Sequence, residues 1–269
     1  MLRTSIHEDV VCVEIVLNRQ GRESSVYVYL TDGMLVDTGP QNVLSEMISF
    51  YEQNTFESVV LTHSHEDHVG TASWIEQNLE VSVYIHPYGM TICSEQAAYP
   101  LYRQVAWGVR EPFNAKPLTD TFHSRSTSWK VIYTPGHADD HVVLLHEETG
   151  RLLCGDLYLT AKPKVLLSFE SIPQQMNSLR LVLDYSFESI YCGHAGYIAS
   201  GKNMLRQKLD YLENLSGEII HLHQRGWSAA EINDRLFEPN HLLTKVSDGE
   251  FDTMHIVTSV LRGLAPKEG

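Results

Sequence analysis

Leu61-Thr62-His63-Ser64-His65-Glu66-Asp67-His68-Val69-Gly70, LTHSHEDHVG in one-letter code, sets three imidazoles and a carboxylate within six residues. Crowding them on one short loop costs solvation and backbone energy unless a cation collects them. Imidazole nitrogen and carboxylate oxygen are the ligands that zinc and its neighbours prefer. The preceding Ser58-Val59-Val60-Leu61 is apolar and β-branched, as a buried strand requires, and TASWIEQN after Gly70 has helical composition. The cluster therefore belongs at a strand-to-helix junction, where a rigid scaffold presents a loop. His63 and His65 alternate with Ser64 and can face one point, while Asp67 and His68 turn toward a second.

Two metals need about three or four protein ligands each, with room for water, so about three more ligands are expected downstream. Three further segments end in a suitable group. Tyr133-Thr134-Pro135-Gly136-His137 follows the strand-like Trp129–Ile132, Leu152-Leu153-Cys154 runs into Gly155-Asp156, and Ser189-Ile190-Tyr191-Cys192 runs into Gly193-His194. Each has a glycine that lets the chain turn tightly just before the ligand-type residue. His86 and His141 stand near these motifs and are read as structural or supporting residues.

With HxHxDH, PGH, GD and GH in this order, the chain resembles the metallo-β-lactamase superfamily over roughly residues 10 to 200. The resemblance implies that His63, His65 and His137 hold one metal, that Asp67, His68 and His194 hold the other, and that Asp156 bridges them. It also implies a role for Asp37, in Leu35-Val36-Asp37-Thr38-Gly39, as a carboxylate behind the ligands that fixes their orientation. The implied cofactor is a pair of divalent ions, zinc first, with iron or manganese as alternatives.

The expected fold class is α/β: an αββα sandwich of two mixed β-sheets flanked by helices, with a helical C-terminal extension. Strands are expected at Val10–Leu17, Ser25–Leu30, Met34–Val36, Ser58–Leu61 and Val81–Ile85, with helices at Asn42–Tyr51 and Thr71–Asn78. A second set of strands, Trp129–Tyr133, His141–His146 and Leu152–Cys154, precedes helix Pro173–Tyr185 and strand Ser189–Cys192. Residues 1–200 are read as the catalytic domain and 201–269 as the extension, in which Met204–Leu215, a capping box at Ser228–Glu231 and Gly249–Gly263 mark helices. The segment 87–128, with Tyr99, Tyr102, Trp107 and Phe113, is read as an insertion lining the substrate pocket.

At 269 residues, 43% hydrophobic and 20% charged, the chain has the composition of a globular protein with a full core. MLRTSIHEDV has no apolar signal core and no stretch approaches membrane-spanning length. Cys12, Cys93, Cys154 and Cys192 are widely spaced and form no CxxC pair, so a reducing cytoplasm is the expected location. The net charge of −14 disfavours a nucleic-acid partner, because phosphate-tracking surfaces draw on clustered Lys and Arg. A small-molecule substrate is expected.

The expected reaction is hydrolysis of a carboxylic ester or thioester by a metal-bridging hydroxide, as in glyoxalase II and its relatives. Asp67 is placed as the group orienting the nucleophile or carrying a proton to the leaving group. Tyr158 is placed as a hydrogen-bond donor to the developing oxyanion. Lys162 and Lys164 follow and are read as part of a solvated loop ahead of a contact to an anionic substrate. The alternative is a metal-dependent phosphodiesterase or endoribonuclease, and a lactonase or an iron-binding sensor ranks below both.

Overall fold

Successive side chains of a strand point to opposite faces, so in the central strands one set of apolar residues meets the other sheet and the alternate set lies under helices. The computed structural model describes residues 1–19, 22–238 and 242–264. Its first sheet is formed by β1 (Leu2–His7), β2 (Val10–Arg19), β3 (Arg22–Thr31), β4 (Met34–Val36), β5 (Ser58–Val60), β6 (Ser82–Ile85) and β7 (Lys116–Pro117), adjacent in that order. Pairing is antiparallel from β1 to β4 and parallel from β4 to β7. The second sheet is formed by β8 (Thr121–His123), β9 (Ser128–Tyr133), β10 (Val142–His146), β11 (Arg151–Gly155), and, beyond the short β12 (Leu166–Leu167), β13 (Ser189–Cys192) and β14 (Gly196–Ile198). Its order is β14-β13-β11-β10-β9-β8, antiparallel except for the β11–β13 pair.

Three hydrophobic clusters follow the layers. Val10, Cys12, Tyr29, Val36 and Val60 of the first sheet meet Trp129, Val142, Leu144, Leu153 and Tyr191 of the second in the central layer. The alternate residues Val13, Ile15, Val28, Leu35, Val59 and Ile85 lie under helices α1 (Leu44–Gln53) and α3 (Ala72–Asn78). On the far side, Val143, Leu145, Leu152, Cys154 and Ile190 pack beneath α6 (Ile172–Leu183) and α7 (Gly201–Gln224), with α8 (Ala229–Leu236) and α10 (Met254–Arg262) in the same cluster. The expected αββα sandwich is the observed one.

The expected elements are present with shifted ends. The helix at Met204–Leu215 extends over 24 residues. The Ser228 capping box closes as expected, with Ser228 and Glu231 bonding reciprocally. The last helix starts at Met254, because Phe251–Asp252 (β15) pairs instead with β12. That pairing fastens the C-terminal segment to the loop after Asp156, and α7 shares its hydrophobic cluster with the second sheet. Among the described residues no helix is long and apolar enough to cross a membrane.

The short helix α2 (Glu66–Val69) is bolted to the loop after β4. Thr38 N–H donates to the His68 carbonyl at 2.7 Å, and Gly39 bridges Val69. A side chain at Gly70 would put its Cβ 2.2 Å from Gln41 N and 2.7 Å from Gly39 O, both backbone atoms that cannot swing aside. Gly70→Ala is therefore expected to cost about 3 kcal/mol, read as a lowered denaturant midpoint with an unchanged slope.

Candidate metal centre

All the ligand-type residues sit at the same end of the sandwich, because each follows the carboxyl end of a strand. Asp37 follows β4, His63 and His65 follow β5, His137 lies in the loop after β9, and Asp156 and His194 follow β11 and β13. Gly155 turns at φ +47° in a register shift of β11 against β13; a Cβ there would lie 2.7 Å from His141 Nε2.

Three sets of ligand atoms, each within 4.8 Å of one another, result: His63, His65 and His137; His63, His68 and Asp156; and Asp67, His68 and His194. Asp156 lies between the sets. Its Oδ2 is 3.3 Å from His137 Nε2 and 3.2 Å from His194 Nε2, and its Oδ1 is 3.4 Å from His68 Nε2. His194 Nε2 is also 3.2 Å from Asp67 Oδ2.

The far nitrogens of several rings are held from behind. Asp37 accepts from Thr62 N–H at 2.8 Å through Oδ1 and faces His68 Nδ1 at 2.8 Å through Oδ2. His194 Nδ1 donates to the Ser25 carbonyl at 2.9 Å, and Thr62 Oγ1 lies 3.0 Å from His63 Nδ1. Glu170 Oε2 stands 3.3 Å from His137 Nδ1 and is fixed by Gln175 Nε2 at 2.8 Å. Such contacts fix the ring tautomers and aim the opposite nitrogens inward.

A divalent cation fits this set. His63 Nε2, His68 Nε2, His137 Nε2 and Asp156 Oδ1 are buried and make no hydrogen bond, a cost of about 1–3 kcal/mol for each such group. Burial pushes the His63 and His65 rings well below the usual imidazole range, whereas Asp156 holds His68 and His194 above it and Glu170 does the same for His137, against their burial. Burial opposes the charge on Asp156, yet His194 and His68 beside it hold its carboxyl well below the usual carboxylate range.

His141 takes a supporting place. Its Nε2 accepts the Asp156 backbone N–H at 3.0 Å and its Nδ1 lies 2.8 Å from Thr134 Oγ1, while burial pushes its pKa down to about 3. His86 caps helix α4 (Pro87–Ser94) and stacks on Tyr133 with centroids 4.5 Å apart.

Tyr158, expected as the oxyanion donor, packs in the hydrophobic cluster it shares with α7 and is 6% exposed; after Asp156 it is Leu159 and Thr160 that line the cavity.

A cavity of about 350 Å³ opens beside the cluster. The segment 87–128 reaches it through Arg103 and Trp107 of helix α5 (Leu101–Trp107), whereas Phe113 is buried under the first sheet. Lys164 lines it from an exposed position. Two lining groups had weak signals in the sequence. Glu66, inside the metal loop, is 2% exposed and takes a two-pronged bond from Arg103, Nε to Oε1 at 2.5 Å and Nη2 to Oε2 at 2.6 Å. Lys208, 2% exposed on the apolar stripe of α7, donates to the carbonyls of Leu157 and Tyr158 at 2.7 and 2.9 Å. A lone lysine between Leu205 and Leu209 was the only hint of it; Arg103 left none. All four cysteines are buried and free.

Residues 20–221 match the family model described as metallo-beta-lactamase superfamily. A probable metallo-hydrolase, YqjP of Bacillus subtilis, is 24% identical over 274 residues, covering 86% of this chain and 85% of its own. A hydroxyacylglutathione hydrolase of Shewanella oneidensis is 28% identical over 191 residues, covering 68% of this chain and 62% of its own. Among solved structures, a metallo-beta-lactamase family protein of Thermus thermophilus superposes with a TM-score of 0.69 at 19% identity, over 98% of this chain and 97% of that one.

Proposed function

This chain belongs to the metallo-β-lactamase superfamily of hydrolases, and from that premise we propose that it is a dinuclear metal-dependent enzyme cleaving a carboxylic ester or thioester of a small molecule. The observation that carries this reading is the inward-facing cluster of His63, His65, His68, His137, His194, Asp67 and Asp156, with buried ring nitrogens that make no hydrogen bond. In the proposed assignment, His63, His65 and His137 hold one ion, Asp67, His68 and His194 the other, and Asp156 both. Zinc is the first choice, and iron or manganese suits the same donors. A bound pair of divalent ions supplies a nucleophile near neutral pH and Lewis acidity at the scissile carbonyl.

The chain's own groups supply position and proton handling. Asp37, the Ser25 carbonyl, Thr62 and Glu170 hold the ligand rings in place. Asp67 lines the cavity, and in this reading its carboxylate orients the nucleophile or carries a proton to the departing thiolate or alkoxide. The ester and thioester preference draws on the hydroxyacylglutathione hydrolase relative, whose name denotes an acyl-thioester substrate, and on the net charge of −14, which works against a polyanionic nucleic acid.

Turnover of a small acyl thioester and of bis(p-nitrophenyl) phosphate by metal-analysed protein tests the proposal. Thioester cleavage is the expected result. Phosphodiester cleavage alone would replace it with the phosphodiesterase reading.

Asp37→Asn tests how the ligands are held. An amide offers its NH₂ where His68 Nδ1 now meets a carboxylate oxygen, so metal retention against a chelator is expected to weaken by about 10–100-fold with the fold unchanged.

A further inference from the structure

We infer that the acyl group of the substrate is apolar and uncharged, and that Arg103, held between two carboxylates, enforces that choice; the inference rests on the hydrolase reading above. Beyond the ligand residues, the cavity's apolar wall is made by Trp107, Leu159, Pro163, Val165, Leu166 and Phe251, beside the uncharged polar groups Thr160 and Gln175 and the carboxylates Glu66 and Glu170. The apolar residues offer indole, phenyl and branched alkyl surface to a substrate, and the two carboxylates repel an anion.

Three cations also line the cavity, Arg103, Lys164 and Lys208, and in so acidic a chain they are the obvious seats for an anionic substrate group. Half-buried Arg103 and buried Lys208 are already committed. Arg103 gives Nε and Nη2 to Glu66 and Nη1 to Glu250 Oε1 at 3.0 Å, so one guanidinium faces two carboxylates. The other oxygen of Glu250 accepts from Tyr102 at 2.5 Å. Lys208 is buried against two carbonyls, with Glu170 and Asp156 as nearby counter-charges. Lys164 is exposed.

A carboxylate on the acyl group would therefore reach Arg103 only in competition with Glu66 and Glu250, and like charges brought together at an interface cost several kcal/mol. The clamp is assembled from three distant segments, the metal loop, α5 and the residue before β15. It also carries two of the apolar walls, since Trp107 follows Arg103 on α5 and Phe251 follows Glu250.

The test compares kcat/KM for hexanoyl and glutaryl thioesters of one thiol, using metal-loaded protein. Wild type is expected to favour the hexanoyl substrate by about tenfold or more. Glu250→Ala, which touches none of the proposed ligands, releases Arg103 Nη1. It is expected to shrink that ratio by about tenfold, through KM for the glutaryl substrate, with metal content unchanged. Glu250→Gln keeps an acceptor for Tyr102 and is expected to move the ratio the same way. A wild-type preference for glutaryl, or a ratio unmoved in both folded variants, would overturn the inference. If wild type turns over neither thioester, calorimetry with the two ketone analogues, sulfur replaced by CH₂, separates the failures. Tighter binding of the hexanoyl ketone would keep the acyl preference and sink the hydrolase reading; equal, reversed or absent binding would sink the preference itself.

Discussion

Asp156→Ala is expected to lose metal and activity together, with kcat/KM for the best ester or thioester falling by about a thousandfold or more. The carboxylate touches His137, His194 and His68 at 3.2–3.4 Å, so its removal strips a donor from both proposed metal positions at once. Lewis-acid stabilisation of several kcal/mol disappears with the ions, and each 1.36 kcal/mol is tenfold in rate. The variant also leaves the His68 and His194 rings facing each other without the group that Coulombic attraction ties them to. Metal analysis beside kinetics on folded protein decides the matter. Full activity in a variant shown to be metal-free would remove the metal from the mechanism altogether, whereas loss of activity with both ions retained would give Asp156 a role other than ligation.

Arg103→Met is expected to destabilise the protein by about 3–5 kcal/mol, the cost of stranding a buried charge whose partner has gone. Glu66 is 2% exposed and takes both its strong bonds from Arg103. Its neighbours in sequence, His65 and Asp67, are proposed ligands, so the stranded carboxylate sits inside the metal loop. The double variant Glu66→Gln/Arg103→Met is expected to recover most of the loss, because removing both partners of a buried pair is often close to neutral. Urea unfolding of the four proteins in the cycle measures the coupling. A coupling near zero would mean that the pair contributes nothing to stability.

The apolar run Val10–Leu17 and the alternating pattern of Ser25–Leu30 assigned strands because such segments have to be buried on one or both faces, and the helix at Leu44–Gln53 followed from apolar residues at helical spacing. Helix ends were less legible. Phe251–Asp252 reads as part of a final helix in isolation, but pairing with Leu166–Leu167, some 85 residues earlier, draws it into a strand. The surroundings of Tyr158 were illegible for a similar reason: distance along the chain from Asp156 says it is near, and only the turn decides that Leu159 lines the cavity while Tyr158 packs in the core cluster.

By itself the sequence determined the layered α/β fold and the candidate ligands, because both are written in local terms: a two-residue alternation of apolar side chains, and a glycine or short loop placing a donor just past a strand's end. The tertiary structure decided what surrounds those ligands. Glu66, Arg103 and Glu250 lie 37 and 147 residues apart in their pairings, and Lys208 reaches carbonyls some 50 residues before it. A charge can be buried only where the folded chain brings its partner, and no local pattern records which distant residue that will be.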